Sequence, residues 1–268
     1  MSNIEVQYLE AMKEILFSGE EKEDRTGTGT FSLFGKTLTH DFKNGFPLFT
    51  SKKIHYKSVI HELLWFISGN TNISYLKEND VRIWDEWADK EGNLGPVYGK
   101  QLRDCAGVDQ LKNVVDSIKN NPTSRRHVIS LWHPPDLYKM ALPPCHGLAI
   151  QFNVHGDYLD LATYQRSADW FLGVPFNIAS YSFLLQMICH ITDHHPGKLI
   201  YNFGDAHIYK NHIEQCVQQL RNANQSPKSL PQLNLLMNPD KEIQEFKFED
   251  FELIDYYPNP TIKAKVSV

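Results

Sequence analysis

The chain has 268 residues and is 41% hydrophobic, enough to bury a sizeable core without disulfide or metal staples. Its net charge of -5, from 27 Lys and Arg against 32 Asp and Glu, argues against a protein that coats nucleic-acid backbones, so any bound anion needs a local arginine cluster. The four cysteines, at 105, 145, 189 and 216, form no CxxC pair, which speaks against a zinc site and a disulfide scaffold.

Ile4 to Leu16 spaces its apolar residues as a helix does, and Arg25 to Thr30 follows as a polar, glycine-punctuated loop. Phe31 to Phe42 reads as a strand whose alternation changes phase near Gly35, as a bulge requires. Ser58 to Ile67 reads as a buried helix, and Val108 to Ile118 as an amphipathic one ended by Asn121-Pro122. Val128 to Trp132 and Leu148 to Val154 are predicted strands, with a turn at His155-Gly156-Asp157 into Tyr158 to Tyr164. Pro175 suits the first turn of an apolar helix over Phe176 to Ile191. A strand near Leu199 to Phe203, a helix near Asn211 to Ala223 and short strands complete the chain. The elements mix without a βαβ rhythm, and no linker or repeat interrupts them. That predicts one α+β domain over residues 1–268, a mixed sheet packed by helices. The N-terminus shows no signal-peptide pattern. The longest apolar runs, such as Ile60 to Ile67 with His61 and Glu62 inside it, are too short for a bilayer, so a reduced, cytoplasmic, membrane-free setting is expected.

Cys145 stands in Leu142-Pro143-Pro144-Cys145-His146, where two prolines stiffen the backbone before a candidate nucleophile. A reactive thiol needs nearby positive potential, and His146 and Arg166 are the candidates to supply it. A lone cysteine is more often a packing residue, the reading kept for Cys105, Cys189 and Cys216. Arg25, Arg125, Arg126 and Arg166 with Ser167 sit where guanidinium forks grip phosphate, although singly each is more often a surface ion-pair partner. Glu62 interrupts an apolar helix face: either backbone donors satisfy it, or it is a buried carboxylate of raised pKa that relays protons. Asn177 is by default a cap or turn residue, but its amide offers the donor and acceptor that match the O4/N3–H edge of uracil. His207 and Tyr209 share a strand face and reach either solvent or a sugar hydroxyl. Together thiol, anion site and amide reader describe an enzyme that attacks a nucleotide base covalently.

Five separated segments then make the pattern specific: Asp24 to Thr30; His61 to Phe66; Ile83-Trp84-Asp85-Glu86-Trp87 running on to Gly95-Pro96-Val97-Tyr98-Gly99-Lys100-Gln101; Leu142 to His146; and Tyr164 to Tyr181 with Gly204 to Tyr209. Their order resembles the thymidylate synthase family along nearly the whole chain. The resemblance implies conversion of dUMP to dTMP with 5,10-methylenetetrahydrofolate as cosubstrate, no metal, and a homodimer with shared active sites. It implies that Cys145 adds to the base and that Glu62, Tyr98, Arg166 and Asp169 belong to the catalytic set. Arg25, Arg166 and Ser167 would hold the phosphate, with Arg125 and Arg126 reaching in from the partner. Asn177 would read the base, His207 and Tyr209 would hold the 3′-hydroxyl, and Asp169 would belong to the substrate site as well. Lys52, His55, Ile83, Trp84, Asp169, Leu172, Gly173 and Phe176 match the folate pocket, with Val268 closing it.

Two features depart from the family pattern: Leu102 and Cys105 stand where tryptophans are usual, and the ending Lys263 to Val268 is more polar than typical. Both keep a sister reaction in view, dUMP hydroxymethylation, in which water and not hydride quenches the methylene. A non-catalytic nucleotide- or RNA-binding relative is disfavoured, because binding alone has no use for the thiol.

Overall fold

The computed structural model describes residues 4–226 and 228–267. In chain order the regular elements are α1 (Ile4–Ser18), β1 (Glu20–Lys22), β2 (Thr30–Asp41), α2 (Tyr56–Ile67), α3 (Ser74–Glu78), α4 (Tyr98–Arg103) and α5 (Gln110–Asn120). Then come β3 (Val128–Ile129), β4 (Ala149–His155), β5 (Tyr158–Asp169), α6 (Gly173–Thr192), β6 (His195–Tyr209), α7 (Ile213–Gln225), β7 (Gln232–Leu235) and β8 (Phe251–Ile254). The architecture is α+β. A mixed six-stranded sheet runs β1-β2-β6-β5-β4-β3, and β7 pairs with β8 apart from it. Neighbours are antiparallel except β5 and β6, which run parallel and are joined through α6, a single βαβ unit that the sequence pattern did not reveal.

Ile4, Tyr8, Met12 and Ile15 of α1 are fully buried on one stripe, each worth about 1.5–3 kcal/mol against exposure. Tyr8 also donates to the Trp170 carbonyl at 2.9 Å, the Trp170 indole donates back to the Tyr8 carbonyl at 3.1 Å, and the rings stack. That reciprocal pair anchors the turn leaving β5, where the site is built. Helix α6 is apolar on nearly every side and is the described helix long and apolar enough to cross a membrane; 83% of its apolar window is buried inside the fold. It runs longer than the apolar stretches the sequence brought forward, and it is a core helix.

Several boundaries shift for local reasons. Gly35 adopts φ +82°, yet Phe34 pairs with Asp205 and Lys36 with Phe203, so the ladder continues in step and β2 has no bulge. The register shift lies instead between Leu159 and Leu161, where β5 meets β6. Asp109 caps α5 by accepting from the Lys112 amide at 2.9 Å, which starts the helix at Gln110 and leaves Val108 outside, 47% exposed. Strand β3 is only two residues long, because the chain leaves for a 3-10 turn over Pro134–Lys139. Strand β6 reaches Tyr209 because β2 pairs with it from Thr30, opposite Tyr209, while β5 follows it as far as Asp169, opposite His207.

Candidate active site

The end of the β5–β6 pair, the start of β2, the Cys145 loop and the N-terminus of α6 surround a cleft of about 580 Å³. Arg25, Cys145, Arg166, Ser167, Asp169, Gly173, Asn177, His207 and Tyr209 all line it. Register explains the gathering: Ser167 lies opposite Asp205 and Asp169 opposite His207, while Thr30 and Ser32 of β2 face Tyr209 and His207.

Cys145 is half-buried, and its loop is held from two sides. Arg166 donates from Nε to the Pro144 carbonyl at 2.9 Å and from Nη2 to the Pro143 carbonyl at 3.2 Å, and its amide donates to the Cys145 carbonyl. The rest of its fork opens on the cleft beside Ser167. The Cys145 amide donates to the Tyr98 hydroxyl at 2.9 Å, and the same oxygen lies 3.6 Å from Sγ. Because that oxygen accepts from the amide, its own proton is available to the sulfur. Just beyond, Gly147 adopts φ +69°, and a Cβ there would meet the Tyr181 hydroxyl at 2.4 Å, so only glycine allows this turn.

The charges differ from the sequence expectation in two ways. Burial pushes the Cys145 thiol above its ordinary value; the Tyr98 hydroxyl and Arg166 pull against that, and a charged Glu62 adds to it. The resting thiol is therefore protonated at neutral pH. His146 is buried, bonded through Nδ1 to the Tyr181 hydroxyl at 2.8 Å, and desolvation lowers its pKa to about 3. It is neutral, so of the two candidates only Arg166 supplies positive potential.

Glu62 is buried on α2 and accepts the Trp84 indole N–H at 2.7 Å. Desolvation outweighs that bond and raises its pKa to about 7. Trp84 packs edge-on to Tyr98 and Phe66, and Phe66 stacks on Tyr98, so one aromatic wall joins the carboxylate to the hydroxyl beside the sulfur.

Asn177 is buried just inside α6 and donates through Nδ2 to Gln165 Oε1 at 3.2 Å. Gln165 also accepts from Tyr201 at 2.9 Å and donates to the Ser167 carbonyl at 2.9 Å. With its N–H side held there, the Asn177 amide has a fixed orientation at the cleft wall. His207 is bonded to Asp205 at 3.0 Å and packs edge-on to Tyr209, whose burial raises its pKa to about 12. Asp169 accepts from the amides of Phe171 and Leu172, both at 3.0 Å, fixing the turn into α6.

Other expected residues fall elsewhere. Glu62 and Tyr98 stand behind the cleft wall and not on it. Arg125 and Arg126 are exposed and do not line this chain's cleft. Lys52 is buried: its ammonium donates to the Phe171 carbonyl and lies 3.4 Å from that ring's centroid, with its pKa lowered to about 8 by desolvation. His55 is exposed and bonded to Ser58, Ile83 is 39% exposed, Trp84 is buried, and Leu172 and Phe176 are half-buried. Val268 lies outside the described residues. Sequence reasoning missed Gln165, although a signal was present: it occupies the inward register of β5 with Leu159, Leu161 and Thr163, a polar residue at a core position. Trp87 also lines the cleft, as do Val266 and Ser267 of the tail. Among the described residues no cluster of His, Cys, Asp and Glu is arranged to hold a metal ion.

Compared with known protein families, residues 6–268 match the family described as thymidylate synthase.

Proposed function

By that match the chain belongs to the thymidylate synthase family, whose members act on dUMP with a folate one-carbon donor and include dUMP hydroxymethylases; we propose that this one reductively methylates dUMP to dTMP, giving dihydrofolate. The observation that carries the reading is the position of Cys145: its sulfur lies 3.6 Å from the Tyr98 hydroxyl, on a loop gripped by Arg166, in a cleft whose wall holds Asn177.

In this reading Arg25, the open part of the Arg166 fork and Ser167 bind the phosphate. Arg125 and Arg126, exposed and off this cleft, complete the site of a second subunit in a homodimer. His207 and Tyr209 hold the sugar hydroxyl, and Asn177 reads the base. The bound pyrimidine is an electrophile at C6. The sulfur bonds there as the C5–C6 double bond opens, and the proton it gives up neutralises the enolate charge that passes to C5 and O4. Tyr98 stabilises the forming thiolate, and Glu62, with a pKa of about 7, takes and returns a proton at working pH. Breaking the carbon–sulfur bond at the end restores the ring and the enzyme.

The cleft is large enough for a nucleotide and a ring system beside it. Trp87 and the Asp169 carboxylate on its walls fit a pterin with ring N–H donors. Asp169 and Gly173, with Ile83, Trp84, Leu172, Phe176 and His55 nearby in sequence or fold, would hold the folate, and Lys52 supports their floor through Phe171. When bound, the folate supplies the one-carbon unit and the hydride. What the chain contributes is orientation and exclusion of water.

One observation favours the hydroxymethylase reading. Leu102, with Tyr98, His146 and Tyr181, borders a void of about 30 Å³. The void is lined almost wholly by apolar atoms and holds space without offering water a partner, so it weighs little. Turnover of dUMP with 5,10-methylenetetrahydrofolate, followed by dihydrofolate absorbance and product mass, decides between them. Mostly dTMP with dihydrofolate is expected. Mostly 5-hydroxymethyl-dUMP with tetrahydrofolate would overturn the proposal.

A further inference from the structure

His212, at the junction of β6 and α7, is fully buried between the rings of Tyr209 and Phe171, at centroid distances of 5.7 and 5.5 Å. Its Nε2 lies 2.7 Å from the carbonyl of Lys265; a carbonyl only accepts, so Nε2 carries a proton. Its Nδ1 has no hydrogen-bond partner among the described residues and faces Asp169 Oδ1 at 3.9 Å. The neighbouring Asn211 donates to the Ser267 hydroxyl at 3.3 Å. Consecutive residues thus hold the tail whose Val266 and Ser267 line the cleft, and one of them also faces Asp169 on the cleft floor.

A phenyl ring would fill the space between Phe171 and Tyr209 without burying a bare nitrogen. The imidazole is explained by the donor it gives the tail. We propose that His212 is a positioning residue for the 265–267 tail: Nε2–H holds the Lys265 carbonyl, and with it the tail, against the cleft. The tail held there in turn governs water's access to the reacting base. The consequence for the reaction rests on the function proposed above; the hold on the tail does not.

Two variants separate the ring's ends. Gln places a donor near Nε2, whereas Asn places one near Nδ1 and cannot reach Lys265. Without any ligand, carboxypeptidase trimming through Lys265, read by mass spectrometry, should be roughly fivefold to tenfold faster in His212→Asn and near parental in His212→Gln. With dUMP and 5,10-methylenetetrahydrofolate, His212→Asn should release a several-fold larger share of 5-hydroxymethyl-dUMP and raise the KM for folate, while the Kd for dUMP holds. Gln should restore the product share. A purely structural histidine would lower yield or Tm without moving that share. In a chain shortened to end at Ala264, parent and His212→Gln should give one product ratio; a large difference there overturns the proposal even if the Asn variant does not fold. Trimming rates equal in parent and His212→Asn overturn it as well. A parent that turns over neither product would end the proposed reaction and leave the trimming result to decide the latch.

Discussion

Trp84 donates its indole N–H to Oε1 of Glu62 at 2.7 Å, with both side chains buried. One neutral donor stabilises the carboxylate less than water would, so burial wins and the pKa stands at about 7 against an ordinary 4.5. The folded chain therefore holds an extra proton between those values, and stability falls as pH rises through that window. Above pH 7 the ionised Glu62 costs up to roughly 3 kcal/mol. Glu62→Gln keeps an acceptor for Trp84 and carries no charge. It should melt well above the parent at pH 9 and close to it at pH 5, while turnover drops by about two orders of magnitude or more. A melting gap that stays constant with pH would contradict the raised pKa.

The resting thiol of Cys145 is pushed up by burial and pulled down by Tyr98 and Arg166. Alkylation of the ligand-free protein by iodoacetamide should accordingly be slow at pH 7 and climb into the alkaline range. Tyr98→Phe removes the hydroxyl 3.6 Å from Sγ and should move that climb to still higher pH. Cys145→Ala should abolish both turnover and the covalent adduct with 5-fluoro-dUMP while dUMP affinity stays within a few-fold. An adduct trapped in that variant would place the nucleophile elsewhere.

Asn177 is oriented by Gln165, which is itself held by Tyr201 and the Ser167 carbonyl. Asn177→Asp exchanges a donor for an acceptor suited to the cytosine amino group. The ratio of kcat/KM for dUMP over dCMP should fall by about tenfold or more, equivalent to 1–3 kcal/mol of discrimination. Tyr201→Phe should weaken discrimination in the same direction by a smaller factor, since it loosens only the support. Unchanged ratios in both variants would remove Asn177 as the base reader.

Arg125 and Arg126 are exposed and away from their own chain's cleft. If they serve a partner's phosphate site, Arg126→Glu and Cys145→Ala chains, each nearly inactive alone, should recover activity when mixed. One of the two sites in a heterodimer then carries both intact groups. No recovery in heterodimers verified by native mass spectrometry would rule out a shared site.

The family, the α+β class, the main helices and nine of the cleft-lining residues were legible in the sequence. Motif order, apolar spacing and turn chemistry are local properties, written in consecutive residues. Glu62 was legible as a buried carboxylate because its neighbours at helical spacing are apolar, and burial is what sets its pKa. Tertiary structure decided the rest. The βαβ unit was hidden because α6 is apolar on nearly every side and β6 is far longer than its apolar run, its length set by pairing with its neighbours. His146 follows cysteine and reads as a cation, but Tyr98 and Tyr181 enclose it and desolvation leaves it neutral. Gln165, His212 and the tail act through partners many residues away: Gln165 bonds Tyr201, and His212 bonds Lys265. No local pattern encodes such distances. A side chain's charge and hydrogen bonds depend on what the fold packs around it, and only the folded chain sets those neighbours.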